Sequence, residues 1–337
     1  MKKGNIDAVV TWVDGNDPLH RAKRDMYSDQ LHTGTTRCGA LELRFVEAGE
    51  VRYCIYSIRK FAPWIRNIYL VTDEQRPSWL SEELQKLLGV TVVDHKVLFR
   101  DNPEYLPCFN SISITTLLWK IPGISDKYIL FNDDVFLVSK TEQSDFFVGE
   151  KVVLRGRFVN QRLSLLQLIK KAIRKWLLFQ KGIKVSRVRS DIHVNAARLA
   201  GETMRYFEAK HTPIGYKCSI QENYYRNNRN KLELNISFKF RNEQQFLSSV
   251  LHSHLALSDN MAVVYDGSDS RTIIPRCGGL GVERKKLREL KENSRVIKIL
   301  CFQDLIFLKR EAPDEFNEVV EWLEETIVEG GPVSDNS

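Results

Sequence analysis

Residues 128–138 read Tyr-Ile-Leu-Phe-Asn-Asp-Asp-Val-Phe-Leu-Val, and the rest of the chain can be understood around them. Apolar residues on both sides of the Asn-Asp-Asp triplet predict a buried strand that is interrupted at residues 132–134. Two adjacent carboxylates there repel each other and lose hydration, so a divalent cation or a cationic substrate group would stabilise them. The alternative is a strand, a tight turn and a second strand, with both carboxylates solvated. These residues alone leave both interpretations open.

The segments before this stretch alternate between strand and helix patterns. Residues 6–13, 67–73 and 90–95 have strand character, whereas residues 47–60 and 78–88 have apolar residues at helical spacing. This alternation predicts an α/β fold with a mostly parallel sheet flanked by helices. Turn-forming residues 14–18 follow the first strand, where open α/β sheets bind ligands, although a plain surface turn would have the same composition.

Composition narrows the class of protein. The chain has 337 residues, 43% of them hydrophobic, and a formal charge of +7, which is typical of a soluble globular protein. This moderate basicity would favour binding of anionic small molecules, anionic polymers or an acidic membrane surface. The sequence contains no nucleic-acid recognition motif. The cysteines are scattered and are interpreted as buried thiols of a cytoplasmic protein: Cys38, Cys54, Cys108, Cys218, Cys277 and Cys301. No apolar run is long enough to span a bilayer, so we expect no integral membrane segment.

The middle of the chain is richer in basic residues and leucines than the segments before it. Residues 163–180 combine an apolar stripe with basic residues on the opposite face, which predicts a basic amphipathic helix. Such a helix could contact an anionic inner-membrane surface peripherally, hold an anionic glycan, or pack on its own domain. We therefore divide the chain into an α/β part (1–150), a basic amphipathic helical insert (151–190), the remainder of the core (191–328) and a flexible tail (329–337).

Several segments together resemble one family. They are residues 6–17, 44–45, 50–58, 62–73, 75–80, 106–111 and 132–136. Their order and spacing are similar to the first two conserved regions of the Stealth proteins, which are bacterial capsular polysaccharide phosphotransferases related to the catalytic core of N-acetylglucosamine-1-phosphotransferase. Residues 191–213, 238–245 and 296–304 resemble the later regions more thinly. The resemblance implies a Rossmann-like, GT-A-like sheet.

The resemblance also implies a reaction. A glycan hydroxyl would attack a nucleotide sugar, with UDP-N-acetylhexosamine as the favoured donor, so that hexose-1-phosphate joins a growing capsular polysaccharide and a nucleoside monophosphate leaves. Such chemistry uses Mg²⁺ or Mn²⁺, an arginine and a base. The implied metal residues are Asp134, Asp304 and Asp133. The implied catalytic residues are His211, Arg241 and Asp134. The implied donor-binding residues are Asp14, Gly15, Arg52, Thr72, Asp73, Gln75 and Asn110.

One position departs from the family pattern, and two other functions stay open. Thr115 stands where family members commonly carry a glutamate in the helix after an Asn-Ser pair. Either His211 handles proton transfer alone, or another carboxylate takes part. A metal-dependent glycosyltransferase would use the same acidic motif but release a nucleoside diphosphate. A non-catalytic carbohydrate-binding scaffold is the third interpretation.

Overall fold

The computed structural model of the protein describes residues 5–27, 48–161, 188–275, 288–289, 292 and 296–330. Strands in this part are β1 (Ile6–Thr11), β2 (Ile68–Thr72), β3 (Val90–Asp94), β4 (Lys127–Asn132), β5 (Val135–Leu137), β6 (Phe147–Val148), β7 (Lys151–Asn160), β8 (Arg205–Ala209), β9 (Ile214–Lys217), β10 (Ala262–Tyr265), β11 (Ser270–Ile273) and β12 (Ile299–Phe302). Helices are α1 (Pro18–Met26), α2 (Glu50–Phe61), α3 (Glu82–Leu88), α4 (His95–Leu98), α5 (Ser111–Thr116), α6 (Val188–Leu199), α7 (Cys218–Asn227), α8 (Arg229–Ile236), α9 (Ser248–Ser258), α10 (Leu305–Glu311) and α11 (Pro313–Leu323).

The central sheet confirms the predicted α/β class. Within the described residues its order is β3-β2-β1-β4-β9. The first four strands run parallel, and β9 joins β4 antiparallel. Every residue of β2 is buried, as expected for a parallel strand that is covered by helices on both faces. The sheet is therefore mostly parallel, as the alternation of strands and helices predicts.

A second sheet begins at the Asn-Asp-Asp triplet. β4 ends at Asn132, the chain turns at Asp133 and Asp134, and β5 then leaves the central sheet. β5 pairs antiparallel with β12, and β12 pairs parallel with β11. The strand, turn and second strand of the simpler interpretation are therefore present, but the two strands belong to different sheets. The turn lies where the two sheets meet.

The beginning of the predicted helical insert is a strand, so that boundary was wrong. Residues 151–160 form β7, which pairs with β6, β8 and β10. Five successive buried residues in β7 reflect its position between neighbouring strands rather than on an amphipathic surface. The amphipathic helix expected at residues 163–180 lies outside the described residues.

One large hydrophobic cluster contains residues from both the first and the second half of the chain. It contains Val10 of β1, Ile55 of α2, Leu154 of β7 and Phe302 of β12. The cysteines in the described ranges, Cys54, Cys108, Cys218 and Cys301, are free thiols, whereas Cys38 and Cys277 lie outside those ranges. No helix in the described part of the chain is both long and apolar enough to span a membrane.

Candidate functional site

The carboxyl ends of the parallel strands bring the predicted residues to one edge of the sheet. Thr11 of β1 is in register with Asn132 of β4, and Thr72 of β2 is in register with Asp94 of β3. The loops that carry Asp14, Asp73 and Asp134 therefore all leave the sheet at this edge. Open α/β sheets bind ligands at such an edge.

Asp134 lies at the centre of the candidate site. Its Oδ2 atom is 3.6 Å from Nε2 of His211 and 3.8 Å from Sγ of Cys301. Its Oδ1 atom is buried and has no hydrogen-bond partner among the described residues. A buried carboxylate oxygen without a partner loses hydration without compensation, so it would gain from a bound cation. The structure thus gives this carboxylate the environment that the metal interpretation requires.

The end of β12 lies beside the turn that carries Asp134. The backbone N–H of Phe302 donates to the carbonyl of Asp134 at 2.9 Å, and Cys301 is in register with Val135. Asp304, two residues after Phe302, has a left-handed conformation with φ of 58° and immediately precedes α10. Backbone hydrogen bonds therefore hold the thiol of Cys301 and the carboxylate of Asp134 next to each other.

Glu50 is a further carboxylate in this neighbourhood, and we did not predict it as a site residue. It is only 6% exposed, and its side chain accepts a hydrogen bond from the N–H of Ala48. Burial raises the pKa of Glu50, and the negative charges of Asp134 and Asp304 raise it further. Three carboxylates therefore act on one another electrostatically here, which a cation would relieve.

Cys301 was assigned only a structural role as a buried thiol. It is fully buried, and burial raises the pKa of its thiol, to which the charge of Asp134 adds. In the described ranges, Asp134, His211 and Cys301 form the group whose potential ligand atoms all lie within 4.8 Å of one another. Its Cys and His members come from distant parts of the sequence, and no local spacing links them.

His211 reaches the site from the loop after β8. The N–H of Lys210 donates to the carbonyl of Arg155 in β7 at 2.9 Å, which anchors this loop to the neighbouring strand. The amide Nδ2 of Asn132 lies 3.1 Å from Nε2 of His211. The His211 side chain is 36% exposed, so solvent or a ligand can reach the imidazole. The resemblance to the Stealth proteins implied His211 rather than another histidine, and the structure places it against Asp134.

Arg241 and Asn110 meet at the beginning of α5. Nη2 of Arg241 donates to Oγ of Ser111 at 2.6 Å. The fully buried Asn110 caps α5 by accepting from the N–H of Ile112 at 3.1 Å, and its Nδ2 donates to the carbonyl of Phe238. The amide of Asn110 is thus engaged within the protein. Its predicted role in donor binding stays a prediction.

Asp14 and Gln75 of the predicted donor rim contact each other directly. The N–H of Asp14 donates to Oε1 of Gln75 at 2.8 Å, and Nε2 of Gln75 donates back to the carbonyl of Asp14 at 2.9 Å. This pair fixes the loop after β1, including the buried Gly15, to the loop after β2. The side chain of Asp14 also accepts from the N–H of Asn16, which shapes the turn.

Two further residues of the predicted rim, Thr72 at the end of β2 and Asp73 just after it, are buried. Thr72 is fully buried, and Asp73 lies 3.9 Å from both His20 and His95. Burial lowers the pKa of His20, and it lowers the pKa of His95 to about 4, so both imidazoles are neutral at pH 7. Lys23, 3.6 Å away, supplies positive charge to the Asp73 carboxylate. Asp73 therefore holds α1 against the sheet edge.

Arg52, another residue of the predicted donor rim, contacts Glu324 and Tyr56. Its Nη1 donates to Oε1 of Glu324 at 2.9 Å, and its guanidinium lies 5.4 Å from the ring centre of Tyr56. The hydroxyl of Tyr53 donates to the same Glu324 oxygen. These contacts tie α2 to the turn after α11. Donor binding by Arg52 stays a prediction.

Two segments of the chain match known conserved regions. Residues 4–32 match Stealth protein CR1, conserved region 1, and residues 44–154 match Stealth protein CR2, conserved region 2. The chain carries Stealth conserved regions 1 and 2. The predicted family resemblance is therefore confirmed for these segments, which include Asp14, Asn110 and Asp134. The assignment of His211, Arg241 and Asp304 to the later Stealth regions stays a prediction.

Characterised relatives align with the same part of the chain. A capsular polysaccharide phosphotransferase of Actinobacillus pleuropneumoniae is 38% identical over 147 residues, which are 44% of this chain and 38% of that protein. A receptor polysaccharide phosphotransferase of Streptococcus oralis is 39% identical over 142 residues, which are 42% of this chain and 41% of that protein. The aligned part thus spans about two fifths of the length of these relatives.

Solved structures of glycosyltransferases resemble the whole chain more distantly. Mouse xyloside xylosyltransferase 1 has 12% sequence identity and a TM-score of 0.38, with 88% of this chain and 96% of that chain covered. The galactosyltransferase LgtC has 7% identity and a TM-score of 0.39, with 94% and 95% covered.

Proposed function

We propose that this chain transfers a sugar-1-phosphate from a nucleotide sugar to a hydroxyl of a glycan. The transferred group would be hexose-1-phosphate, with N-acetylhexosamine-1-phosphate as the favoured case, and the product a phosphodiester-linked polysaccharide. The bond that forms joins the acceptor oxygen to the β-phosphorus. The bond that breaks joins this phosphorus to the bridging oxygen, so a nucleoside monophosphate leaves.

The contact between Asp134 and His211 carries this proposal. The two side chains are 3.6 Å apart at the carboxyl edge of the sheet, where strand ends leave room for a ligand. A carboxylate that can hold a cation beside an imidazole that can accept a proton provides two of the functions that phosphoryl transfer requires. The similarity to polysaccharide phosphotransferases supports the choice of phosphoryl over glycosyl transfer.

The remaining roles follow from the chemistry of the side chains. His211 would accept the proton of the acceptor hydroxyl, because its imidazole is accessible and lies next to Asp134. Arg241 would stabilise the charge that develops on the transferred phosphoryl group, and its hydrogen bond to Ser111 holds it at the beginning of α5. Asp14 and Gln75 would shape the rim that contacts the donor.

A divalent cation such as Mg²⁺ or Mn²⁺ fits the carboxylates at this edge. Both ions prefer oxygen ligands, and the buried Oδ1 of Asp134 has no hydrogen-bond partner in the described part of the chain. We assign this atom to the cation, with Asp304 as a second ligand and Asp133 as a neighbouring carboxylate. When bound, the cation would neutralise charge on the pyrophosphate of the donor.

Proton transfer must proceed without a glutamate at position 115. The hydroxyl of Thr115 lies 3.2 Å from the carbonyl of Ile112 and donates to it within its own helix. Glu50 is a candidate for the missing carboxylate, since the charges of Asp134 and Asp304 already act on it. We propose that His211 is the base and that Glu50 influences the site through its charge.

Product analysis tests the proposal. The purified protein would be incubated with a panel of nucleotide sugars, Mg²⁺ and capsule-type oligosaccharides, and ³¹P NMR would be used to detect a phosphodiester. We expect a nucleoside monophosphate to accumulate with the phosphodiester in equal amounts. Release of a nucleoside diphosphate would instead identify a glycosyltransferase, and binding without turnover would identify a carbohydrate-binding scaffold.

A matched pair of variants assigns the activity to this site. Asp134→Asn removes the carboxylate at the carboxyl end of β4, whereas Asp126→Asn makes the same change just before the amino end of β4. The 6 residues of β4 between the two positions span roughly 20 Å. We expect transfer to be lost in the first variant and retained in the second. Equal activity of the two variants would argue against a role for Asp134.

A further inference from the structure

Cys301 changes the chemistry that the Asp134 site can offer to a cation. Its Sγ is 3.8 Å from Oδ2 of Asp134, and Nε2 of His211 is 3.6 Å from the same oxygen. One potential ligand atom from each of the three residues lies within 4.8 Å of the other two. The group therefore offers one oxygen, one nitrogen and one sulfur ligand around a single point.

Two of the three distances between these ligand atoms are close to those of a tetrahedral metal site. Typical zinc bond lengths place an oxygen and a nitrogen ligand about 3.4 Å apart, and an oxygen and a sulfur ligand about 3.6 Å apart, at tetrahedral angles. The corresponding distances here are 3.6 Å and 3.8 Å. The histidine nitrogen and the cysteine sulfur of the group lie within 4.8 Å of each other, so side-chain movements that shorten this third distance would bring all three ligands onto one cation.

Each of the three side chains is held by a different element. Asp134 lies in the turn between β4 and β5, whereas Cys301 lies in β12, which pairs with β5. The backbone hydrogen bond from Phe302 to Asp134 joins these two elements. His211 lies after β8, and Asn132 contacts its Nε2. Backbone pairing thus positions Asp134 and Cys301, whereas Nε2 of His211 would exchange its contact with Asn132 for the cation.

The donor set suits a different class of metal from the carboxylates alone. Mg²⁺ requires near-octahedral oxygen coordination, whereas a thiolate together with an imidazole selects Zn²⁺ or its probe Co²⁺. Three protein ligands with an open fourth position are typical of accessible zinc sites, and the partly exposed imidazole of His211 leaves such access.

We propose that Asp134, His211 and Cys301 form a binding site for a thiophilic divalent cation, Zn²⁺ or Co²⁺, with one position open to solvent. Binding converts the Cys301 thiol to a thiolate, and the released proton passes to solvent. The inference rests on the proposed function in one respect, since Asp134 also serves the Mg²⁺-type site and the two cations would compete for it. A simple hydrogen bond from the thiol to Asp134 is the alternative role of Cys301.

Cobalt titration of the metal-free protein, without nucleotide sugar or glycan, tests this inference. We expect one equivalent of Co²⁺ to produce a sulfur-to-cobalt charge-transfer band in the near ultraviolet and the intense visible bands of four-coordinate cobalt. Zn²⁺ should abolish the bands at equimolar concentration, whereas a large excess of Mg²⁺ should be required for the same effect. Because no turnover is measured, failure here would leave the proposed sugar-phosphate transfer intact.

Two cysteine variants separate ligation from burial. Cys301→Ser should lose the charge-transfer band and weaken Co²⁺ binding more than about tenfold, since even indirect partners of metal ligands contribute that much. Cys54→Ser is the control, because Cys54 is also a buried thiol, with its Sγ 3.6 Å from the carbonyl of Asn132, yet lies outside the group of three. It should retain the band.

X-ray absorption of the cobalt-loaded unmodified protein provides a test that does not depend on folding of a variant. It should show one sulfur at about 2.3 Å from the metal. Absence of cobalt binding, a first shell without sulfur, or a band that persists in Cys301→Ser would each overturn the inference.

Discussion

Arg155 and Asp269 form a buried ion pair in which two guanidinium nitrogens donate to one carboxylate. Nη2 of Arg155 is 2.8 Å from Oδ2 of Asp269, and Nε is 3.1 Å from Oδ1. The carbonyl of Arg155 accepts from Lys210, next to His211, and the carbonyl of Asp269 accepts from Lys298, just before β12. The pair therefore links the loop that carries His211 to the strand that carries Cys301.

Breaking this ion pair should destabilise the protein strongly. Asp269→Ala would leave the Arg155 guanidinium, only 5% exposed, without its carboxylate, and we expect a loss of ~3–5 kcal/mol in the free energy of unfolding. Glu208→Ala is the control, because it breaks the exposed ion pair with Arg157, which lies in β7 like Arg155. It should lower the free energy of unfolding by ~1 kcal/mol or less. Urea denaturation measures both. Similar losses in the two variants would contradict a structural link through Arg155.

His211→Gln should affect the chemical step more than substrate binding. If His211 accepts the proton of the acceptor hydroxyl, kcat should fall by ~10²–10⁴-fold while the KM for the donor changes little. His193→Gln is the control, because His193 lies in α6 against the ring of Tyr206 and is not in the ligand group of Asp134, His211 and Cys301. An unchanged kcat in His211→Gln would show that another group accepts the proton.

The central sheet and the polar residues at its carboxyl edge could be predicted, because local sequence patterns indicate both. Alternating strand and helix segments indicate a parallel sheet, and polar residues directly after buried strands lie at its carboxyl edge. These patterns drew attention to residues 132–134 but left a turn and a metal site open. The resemblance to the Stealth proteins implied Asp134 as the metal residue, and the match to the Stealth regions supports the alignment of that segment. The pattern could not show that β5 leaves the central sheet, since strand pairing partners are chosen by tertiary contacts.

Cys301 and Glu50 could not be identified from sequence, for different physical reasons. Cys301 is surrounded by apolar residues of β12, where a thiol is indistinguishable from any small buried side chain. Glu50 begins α2, where an acidic residue is already expected because it stabilises the helix N-terminus. Only the approach of β12 and α2 to the turn at Asp134 gives these two residues a possible chemical role.

Glu50→Gln should raise thermal stability most at neutral to basic pH. The folded-state pKa of Glu50 is raised by burial and by Asp134 and Asp304, so the folded protein binds this proton more tightly than the unfolded chain. The resulting contribution to stability is fully present below the unfolded pKa and is lost as pH rises through the folded pKa. Glutamine cannot ionise, so the gain in Tm over the unmodified protein should grow with pH above about 4.5.

Glu83 in α3 supplies a control of opposite sign for the Glu50 experiment. Its pKa is lowered by its own backbone N–H and by Ser81, so its stabilising contribution is present above the unfolded pKa and is lost as pH falls. Glu83→Gln should therefore lower Tm at neutral pH and have less effect in acid. A Tm difference for Glu50→Gln that does not vary between pH 4 and pH 8 would contradict the expected titration.

Asn110 connects the beginning of α5 to the segment that carries Arg241. Comparing Asn110→Asp with Ser81→Ala separates this role from helix capping. Asn110→Asp keeps the oxygen that accepts from Ile112 but places a second oxygen against Oε1 of Gln245, to which Nδ2 now donates at 2.9 Å. We expect it to lose more stability than Ser81→Ala, which removes an exposed cap of α3 at ~1 kcal/mol. Because Arg241 also contacts Ser111, Asn110→Asp should lower kcat as well. A stability loss equal to that of Ser81→Ala, with unchanged kcat, would reduce Asn110 to a simple helix cap.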